Sequence, residues 1–243
     1  MKQFQPDTYG RRIAGVYDEF YSDVSTEMID RLKELVDDGR ALELGIGTGR
    51  VALPLQERGV DVAGIDASSE MVEQLRQKPG GDQIAVHIGS FTEIPLDERF
   101  DLIYVVFNTI FALLTQEEQL QCFQSVSQRL TDDGVFLVEA FVPDLCRYDR
   151  GQRVSAVNIE EDAVQLDVSR LDPVRQQVTS QHVVYSTEGT QLYPVKLRYI
   201  WPSEMDLMAR LAGLERRHRW GSWTKEAMTA KSEKHISVYG RTG

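Results

Sequence analysis

The sequence predicts an α/β protein with a doubly wound, mostly parallel sheet of seven strands and an inserted antiparallel β cap. Two observations lead to this fold class. Between residues 26 and 141, short apolar runs alternate with segments of helical periodicity, as they do where helices cover both faces of a parallel sheet. From about residue 154 to residue 200, apolar and polar positions instead alternate between turn-rich stretches, which is typical of an antiparallel meander.

The first part of the chain supplies strands and helices in turn. Residues 28–36 present one apolar helical face, and Gly39 is expected to provide the left-handed residue that ends this helix. Strands are predicted at 41–44, 60–66, 84–88, 102–107 and 135–141, and helices at 51–58 and 69–77. Thr115 and Glu118 form a T-x-x-E capping box that begins a further helix.

The second part predicts the cap and the end of the main sheet. Strand-like segments lie at 164–168, 177–183 and 192–200. A last helix is expected to open at Ser203 and Asp206 and to stop at Gly213, and two closing strands follow at 214–219 and 236–239. We therefore predict a single domain over residues 1–243, with an N-terminal lid segment at 1–25 and the antiparallel cap at 146–201.

The amino-acid composition limits the classes of molecule that are expected as binding partners. The net charge of −11 repels phosphate backbones and anionic lipid headgroups, so nucleic acid and membranes are not expected partners. No apolar run approaches the length of about 18 residues that spans a bilayer, and residues 1–7 lack the apolar core of a secretion signal. Two cysteines, Cys122 and Cys146, favour the cytoplasm. We expect a small neutral or cationic substrate, no metal, and a monomer or homodimer.

A glycine turn follows the first strand. In Glu43-Leu-Gly45-Ile-Gly47-Thr-Gly49, the glycines allow the backbone to approach a ligand closely. The dinucleotide pattern G-x-G-x-x-G would require glycine at position 50, where this chain has Arg50, and this disfavours a bound pyrophosphate. A tight turn with no ligand is the alternative interpretation.

Asp66 ends the second predicted strand, about twenty residues after the turn. A carboxylate at this position can accept hydrogen bonds from the two hydroxyls of a ribose. In an open parallel sheet, ligands bind beyond the carboxyl ends of the strands, where the strand order reverses. Gly45, Gly47 and Asp66 should therefore meet at one site, unless Asp66 is only a solvated helix cap.

These residues carry a family resemblance. The segments 43–49, 64–71, 100–108 and 130–139 resemble, in order, four landmarks of the class I S-adenosylmethionine-dependent methyltransferases, over roughly residues 8–142. The resemblance implies the Rossmann-like methyltransferase fold, S-adenosylmethionine as cofactor and S-adenosylhomocysteine as product. The cap is similar to that of members acting on amino sugars, amino acids and secondary metabolites.

The resemblance also implies roles for individual residues. Gly45 and Gly47 would approach the methionine moiety, Glu43 its amino group or the local turn, and Asp66 the ribose. The adenine would lie near Ala67, Met71, Ser90 and Phe91, with Ser90 standing where relatives often carry an acid. The methionine side and the exit of the methyl group would be lined by Phe107, Asn108 and Phe111. Tyr17 and Tyr21 would close over the cofactor, where aromatic faces attract a sulfonium cation.

Residues for the acceptor and for proton transfer are less well marked. Tyr9, Tyr199 and Trp201 are expected to contact the substrate, and Trp220 and Trp223 to help roof its pocket; filling the core is the alternative for each. Methyl transfer needs no marked catalytic dyad, because the cofactor carries the activation. The candidate proton acceptors are His182, Glu139 and His235, each of which also has a structural interpretation.

The sequence thus predicts methyl transfer from S-adenosylmethionine to a small-molecule acceptor. The acidic net charge favours an amine nitrogen as the acceptor atom. An O- or C-methyltransferase of a secondary metabolite and a non-catalytic cofactor-binding module are alternatives. A nicotinamide-dependent oxidoreductase is disfavoured by Arg50, and an aminopropyl transferase would need further acids for its polyamine.

Overall fold

The computed structural model describes residues 4–21 and 24–242. The helices in these residues are α1 (Thr8–Ile13), α2 (Tyr17–Phe20), α3 (Thr26–Val36), α4 (Ala52–Glu57), α5 (Ser69–Arg76), α6 (Gln116–Arg129) and α7 (Pro202–Leu211). The strands up to the cap are β1 (Arg40–Leu44), β2 (Asp61–Asp66), β3 (Ala85–Ile88), β4 (Phe100–Val105) and β5 (Leu130–Phe141). The remaining strands are β6 (Gln152–Ile159), β7 (Ala163–Asp172), β8 (Gln177–Ser186), β9 (Gly189–Arg198), β10 (Leu214–Trp220) and β11 (Lys234–Arg241).

The main sheet has seven strands in the order β10-β11-β5-β4-β1-β2-β3. The pairs from β5 to β3 are parallel, and β11 runs antiparallel to both β5 and β10. Leu42 of β1 lies between Ala63 of β2 and Ile103 of β4, so the apolar run of β1 is buried at the centre of the sheet. The strand order reverses between β1 and β4. The predicted doubly wound, mostly parallel sheet is confirmed.

Helices cover both faces of this sheet. On one face α3, α4 and α5 bury Leu32, Leu55 and Leu75 against the strands. On the other face α6 and α7 contribute Phe123 and Met205 to a second cluster. Burial of side chains of this size stabilises the fold by about 1.5–3 kcal/mol each. Because both faces are covered, the central strands read as continuous apolar runs rather than as alternating ones.

Two predicted helix ends are wrong and one is confirmed. Asp37, with φ of 53°, and not Gly39, takes the left-handed conformation after α3. Gly39 instead makes room for the Asp101 carboxylate, which accepts the N–H of Arg40 at 2.9 Å. The last helix, α7, begins at Pro202 after Trp201, one residue before the predicted start at Ser203. The capping box of Thr115 and Glu118 begins α6 as expected.

A second sheet lies in the chain between β5 and α7. Its four strands are arranged in the order β6-β7-β8-β9, and every neighbouring pair is antiparallel. The meander expected from the sequence is therefore confirmed, with a first strand, β6, that begins before the predicted segments. Val178 of β8 and Tyr199 after β9 join the same apolar cluster as α6 and α7. The lid and cap boundaries at 1–25 and 146–201 stay predictions.

The helices of residues 4–21 and 24–242 include none that combines the length and the apolar character needed to cross a lipid bilayer.

Candidate functional site

The glycine turn joins β1 to α4 at the carboxyl end of the sheet. Gly45 and Gly47 have φ values of 76° and 55°, which side-chain-bearing residues rarely adopt. A Cβ on Gly45 would lie 2.3 Å from the Cγ2 atom of Thr109, so the turn also needs glycine for close packing. The backbone N–H of Gly45 donates to the Ile65 carbonyl at 2.8 Å, which ties the turn to β2.

Asp66 closes this turn from the end of β2. Its carboxylate accepts the N–H of Gly47 at 2.7 Å on one oxygen and the N–H of Ser68 at 2.8 Å on the other. Burial raises the pKa of Asp66, and these two hydrogen bonds oppose that shift. Each oxygen accepts one backbone hydrogen and keeps capacity for another. The expected meeting of the glycine turn with Asp66 is thus present in the structure.

Glu43 lies on β1 below the turn and is buried among apolar side chains. Its carboxylate accepts the hydroxyl hydrogen of Tyr104 at 3.0 Å. Burial raises the pKa of Glu43 to about 8, although the Tyr104 hydrogen bond and the nearby Arg50 cation lower it. Glu43 is therefore a polar group whose charge depends on what binds beside it.

Arg50 is a site residue whose role sequence reasoning missed. Its guanidinium carbon lies 3.7 Å from the ring centre of Phe107, and it also faces the rings of Tyr17 and Tyr21. The Arg50 side chain donates a hydrogen bond to the Tyr17 hydroxyl at 3.3 Å. The signal was present in the sequence, since a cation directly follows the three glycines, but it was interpreted only as a departure from the dinucleotide pattern.

Residues 4–21 lie over the turn. Helix α1 packs against both α5 and β9, where Ile13 is buried beside Met71 and Tyr193. The ring of Phe20 meets that of Tyr193 edge-on, with centres 5.9 Å apart. The N-terminal segment thus bridges the main sheet and the cap; residues 1–3 and 22–23 of the predicted lid lie outside the described residues.

The three tyrosines of the N-terminal segment are neighbours. Tyr9 donates a hydrogen bond to Tyr21 at 3.5 Å, and the Tyr17 and Tyr21 rings lie 5.0 Å apart. Burial raises the pKa values of Tyr9 and Tyr17, so both remain neutral near pH 7. The structure brings all three of these predicted residues together beside Arg50.

The end of β4 is held in an unusual conformation. Phe107 and Asn108 have φ values of 53° and 66°, and neither is glycine. The Glu139 carboxylate accepts hydrogen bonds from the Phe107 N–H at 3.1 Å, the Trp223 indole at 3.1 Å and the Lys234 ammonium at 2.9 Å. With three donors, Glu139 supports the backbone at the site. Its role as a proton acceptor stays a prediction.

The residues expected around the adenine and the methyl exit have different exposures. Met71 lies next to the turn, since a Cβ on Gly47 would be 3.2 Å from its terminal carbon. Ala67 is half-buried, and Ser90 is exposed with its hydroxyl 3.0 Å from that of Thr92. Phe91 is buried in the core.

Phe111 does not line the site as expected. It has 0% exposed surface and packs against Phe141 with ring centres 4.8 Å apart. A side chain with no accessible surface cannot contact a ligand, and Phe111 therefore supports Phe141 from below. The family resemblance implied that it lines the site beside Asn108, but the short helical turn at 109–112 directs it into the core.

Two cavities adjoin the end of β5. The first, which we call the cap cavity, has a volume of about 250 Å³ and lies between residues 141–148 and the four-stranded sheet. The second, the strand-end cavity, has a volume of about 570 Å³ and is lined by Phe107, Asn108, Glu139 and Lys234, among others. Phe141 and Arg147 line both cavities.

The aromatic residues expected to roof the acceptor pocket separate into different places. Tyr199 lines the cap cavity, but Trp201 lines neither cavity and meets Tyr199 edge-on at 6.0 Å. Trp220 and Trp223 are wrong as roof residues, because they pack with α3 on the opposite face of the sheet. Distant chain segments decide these positions, so the composition of the segment did not reveal them.

The two candidate histidines also differ. His182 lines the cap cavity. His235 has 0% exposed surface, its Nδ1 atom lies 2.8 Å from the Ser237 hydroxyl, and burial lowers the pKa of His235 to about 4. His235 is therefore corrected to a core residue that no acceptor can reach.

Across residues 4–21 and 24–242, no three His, Cys, Asp or Glu side chains are grouped so that they could hold a metal ion.

Comparisons with known proteins agree with this geometry. A family model described as a methyltransferase domain matches residues 41–134. The chain is 28% identical over 206 residues to the cypemycin N-terminal methyltransferase of a Streptomyces species, which covers 84% of each chain. The CcbJ methyltransferase of Streptomyces caelestis superimposes with a TM-score of 0.93 at 35% identity, covering 99% of this chain and 100% of that one.

A second similar structure contains the donor. CalS10, an amino pentose methyltransferase from Micromonospora echinaspora solved with S-adenosylmethionine bound, has a TM-score of 0.72 at 21% identity and covers 100% of this chain. At this identity the likeness concerns the fold.

Proposed function

Because this chain belongs to the S-adenosylmethionine-dependent methyltransferases, we propose that it methylates an amine nitrogen of a small molecule. The observation that carries the choice of nitrogen is the similarity, over 84% of both chains, to an enzyme named for N-terminal methylation. The net charge of −11 supports it, since an acidic surface attracts acceptors that are cations in solution.

We assign the ribose of the donor to Asp66. Both of its oxygens keep hydrogen-bonding capacity after accepting the N–H groups of Gly47 and Ser68. Gly45 and Gly47 are the proposed backbone contacts of the methionine moiety, because their positive φ values and lack of a side chain suit a close approach of the backbone. Ala67, Met71 and Ser90 are the proposed neighbours of the adenine, with Phe91 behind them in the core.

The amino-acid end of the donor is a zwitterion, and the site offers a guanidinium cation, Arg50, and a buried carboxyl group, Glu43. We assign its carboxylate to Arg50 and its amino group to Glu43, which lie near each other beside the turn. The donor, when bound, supplies a methyl carbon already activated by a positively charged sulfur. The chain's own part is to bind, to orient and to exclude water.

The lid tyrosines and Phe107 exclude water from the reacting groups. Tyr17, Tyr21 and Phe107 already surround the Arg50 cation with aromatic faces, and the same faces suit a sulfonium. Asn108 fixes the backbone beside them, because its side-chain oxygen accepts the Phe141 N–H at 2.6 Å. Tyr9 and Tyr199 are the proposed acceptor contacts on the lid and cap sides.

The test is methyl transfer from donor labelled with tritium in the methyl group to acceptors matched in shape, each offered as an amine, an alcohol and a carboxylic acid. We expect label on the amines, released as an N-methyl product. Label on an alcohol or acid alone would favour the O-methyltransferase alternative, and donor binding without any transfer across the panel would favour a non-catalytic module. The cytoplasmic location and the monomeric or dimeric state stay predictions.

A further inference from the structure

The cap cavity has a mostly apolar wall. Residues 141–148 form one side of it, and the inner face of the four-stranded sheet forms the other. Aromatic and aliphatic side chains line most of it, among them Phe141, Val142, Leu145, Tyr148, Val178 and Tyr199. A cavity with apolar walls and few polar groups is suited to a small organic ligand whose orientation those polar groups set.

Three polar side chains lie together on the β7–β8 part of this wall, and these are Asp167, Ser180 and His182. Asp167 of β7 and His182 of β8 lie directly opposite each other in the sheet register. The Asp167 carboxylate accepts the hydroxyl hydrogen of Ser180, which lines the same cavity. The Nδ1 atom of His182 is buried and has no hydrogen-bond partner among the described residues. A buried nitrogen without a partner costs stability, which points to a ligand that supplies one.

This polar group adjoins both halves of the proposed donor site. His182 is paired across the sheet with Tyr193, whose ring contacts Phe20 of the lid at 5.9 Å. On the opposite wall, Phe141 donates its N–H to Asn108 at the end of β4. The cap cavity therefore shares Phe141 and Arg147 with the strand-end cavity that Phe107 and Asn108 line, and Tyr193 beside His182 connects the four-stranded sheet to the lid.

We propose that the cap cavity binds the methyl acceptor, that the acceptor is a small apolar amine, and that His182 takes a proton from its nitrogen while Asp167 orients and stabilises the resulting imidazolium. This inference rests on the proposed N-methyltransferase function and adds the acceptor class, its binding cavity and a proton acceptor.

The proton balance follows from amine chemistry. A simple alkylamine is an ammonium near pH 7 and has no lone pair for attack, so it must first lose one proton, which His182 accepts. The nitrogen lone pair then forms the bond to the methyl carbon, and the carbon–sulfur bond breaks with its electron pair left on sulfur. The products are the methylated ammonium, the neutral thioether S-adenosylhomocysteine and one proton, which His182 passes to water.

The surroundings of His182 suit this task. Burial lowers the pKa of His182 and the Asp167 charge opposes that shift, so the imidazole is neutral and able to accept a proton near pH 7. Asp167 is already in place to stabilise the cation that forms. The other titratable or charged groups that line the cavity are Asp144, Arg147, Tyr148, Arg153 and Tyr199. Tyr193 of β9 is paired with His182 across the sheet.

The first experiment measures binding to protein saturated with S-adenosylhomocysteine. Benzylamine and benzyl alcohol are the probes, because they share a shape and differ in one ionisable nitrogen. We expect benzylamine to bind at least tenfold more tightly by calorimetry and to move the C2–H resonance of His182 in the proton spectrum. The loss of that resonance in His182→Gln assigns it. Equal binding of the two probes, or no binding of either, would overturn the proposal.

The second experiment measures methylation of benzylamine with labelled donor. We expect His182→Gln to lower kcat by about 100-fold or more with little change in KM, the range of a lost general base. Asp167→Asn should lower kcat and remove most of the preference for amine over alcohol. Tyr185→Phe is the matched control, since Tyr185 is on the same strand and half exposed. Turnover of His182→Gln equal to that of the control would contradict the role of His182.

The two proposals fail in different ways. If wild-type protein binds no S-adenosylhomocysteine, the proposed function fails. If it binds the product and methylates amines while the His182 and Asp167 variants behave like Tyr185→Phe, only this inference fails. Because the difference in affinity between benzylamine and benzyl alcohol is measured on wild-type protein, the inference stays testable even where a variant does not fold.

Discussion

The carboxylate of Glu139 on β5 accepts the backbone N–H of Phe107, the residue with which the chain leaves β4 in a left-handed conformation. Two successive non-glycine residues with positive φ cost about 1–3 kcal/mol each, so the surrounding structure must hold them. Trp223 and Lys234 donate to the other oxygen of the same carboxylate. The loop before β11 is thereby connected to the aromatic residue that faces Arg50.

We expect Glu139→Gln to destabilise the protein and to slow turnover. The amide would place an N–H group against one of three donors, which costs about 1–3 kcal/mol of the free energy of unfolding. Urea unfolding measures this loss, and Glu98→Gln, an exposed acid on the loop before β4, is the control. Unfolding curves that coincide for the two variants would show that the Glu139 carboxylate does not hold this turn.

Asp66→Ala should weaken binding of both S-adenosylhomocysteine and adenosine, because both contain the ribose. Loss of hydrogen bonds to a charged partner at about 1.5–3 kcal/mol each predicts at least a tenfold rise in Kd, measured by calorimetry. It should also remove most of the rise in Tm that the product produces in wild-type protein. Asp61→Asn, at the exposed start of β2, should bind as wild type does. An unchanged Kd in Asp66→Ala would remove the ribose assignment.

Arg50→Met should distinguish how the amino-acid end and the adenosine end of the ligand contribute to affinity. If the guanidinium binds the carboxylate of the amino-acid moiety, the variant loses affinity for S-adenosylhomocysteine by about tenfold or more, since hydrogen bonds to charged groups contribute about 1.5–3 kcal/mol. Its affinity for adenosine, which has no carboxylate, should not change. The control is Arg58→Met, whose partner Asp30 lies on the surface. Equal losses for the two ligands would indicate that Arg50 only supports the lid.

The raised pKa of Glu43 predicts that the stability of the ligand-free protein depends on pH. Burial raises the pKa of Glu43 from 4.5 to about 8 in the folded state. Between these values the unfolded chain has released the proton that the folded chain still holds, so the free energy of unfolding falls as pH rises from 4.5 to 8. Above pH 8 this loss is complete.

The measurement is urea unfolding at pH 5 and pH 8 for wild type and Glu43→Gln. Because glutamine does not titrate, the variant should lose less stability than wild type between the two pH values. A parallel decrease in both proteins would mean that Glu43 is not the group responsible.

The local sequence pattern was sufficient to predict the main sheet and the glycine turn after β1. The apolar run at 41–44, the glycines at 45, 47 and 49, and Asp66 about twenty residues later lie close in sequence, and their geometry follows from strand and turn preferences. The capping box was predictable for the same reason, since Thr115 and Glu118 lie three positions apart at the start of one helix. The family resemblance depended on these segments.

The sequence by itself determined the parallel sheet, the ligand-binding turn and the antiparallel character of the cap, because each depends on residues a few positions apart. Only the tertiary structure decided that Glu139 accepts hydrogen bonds from Phe107 and from Trp223, which is 84 positions away. It also decided that Arg50 faces aromatic rings and that Asp167 lies opposite His182. Strand register and the packing of distant segments set these contacts, and neither is encoded in the spacing of residues along the chain.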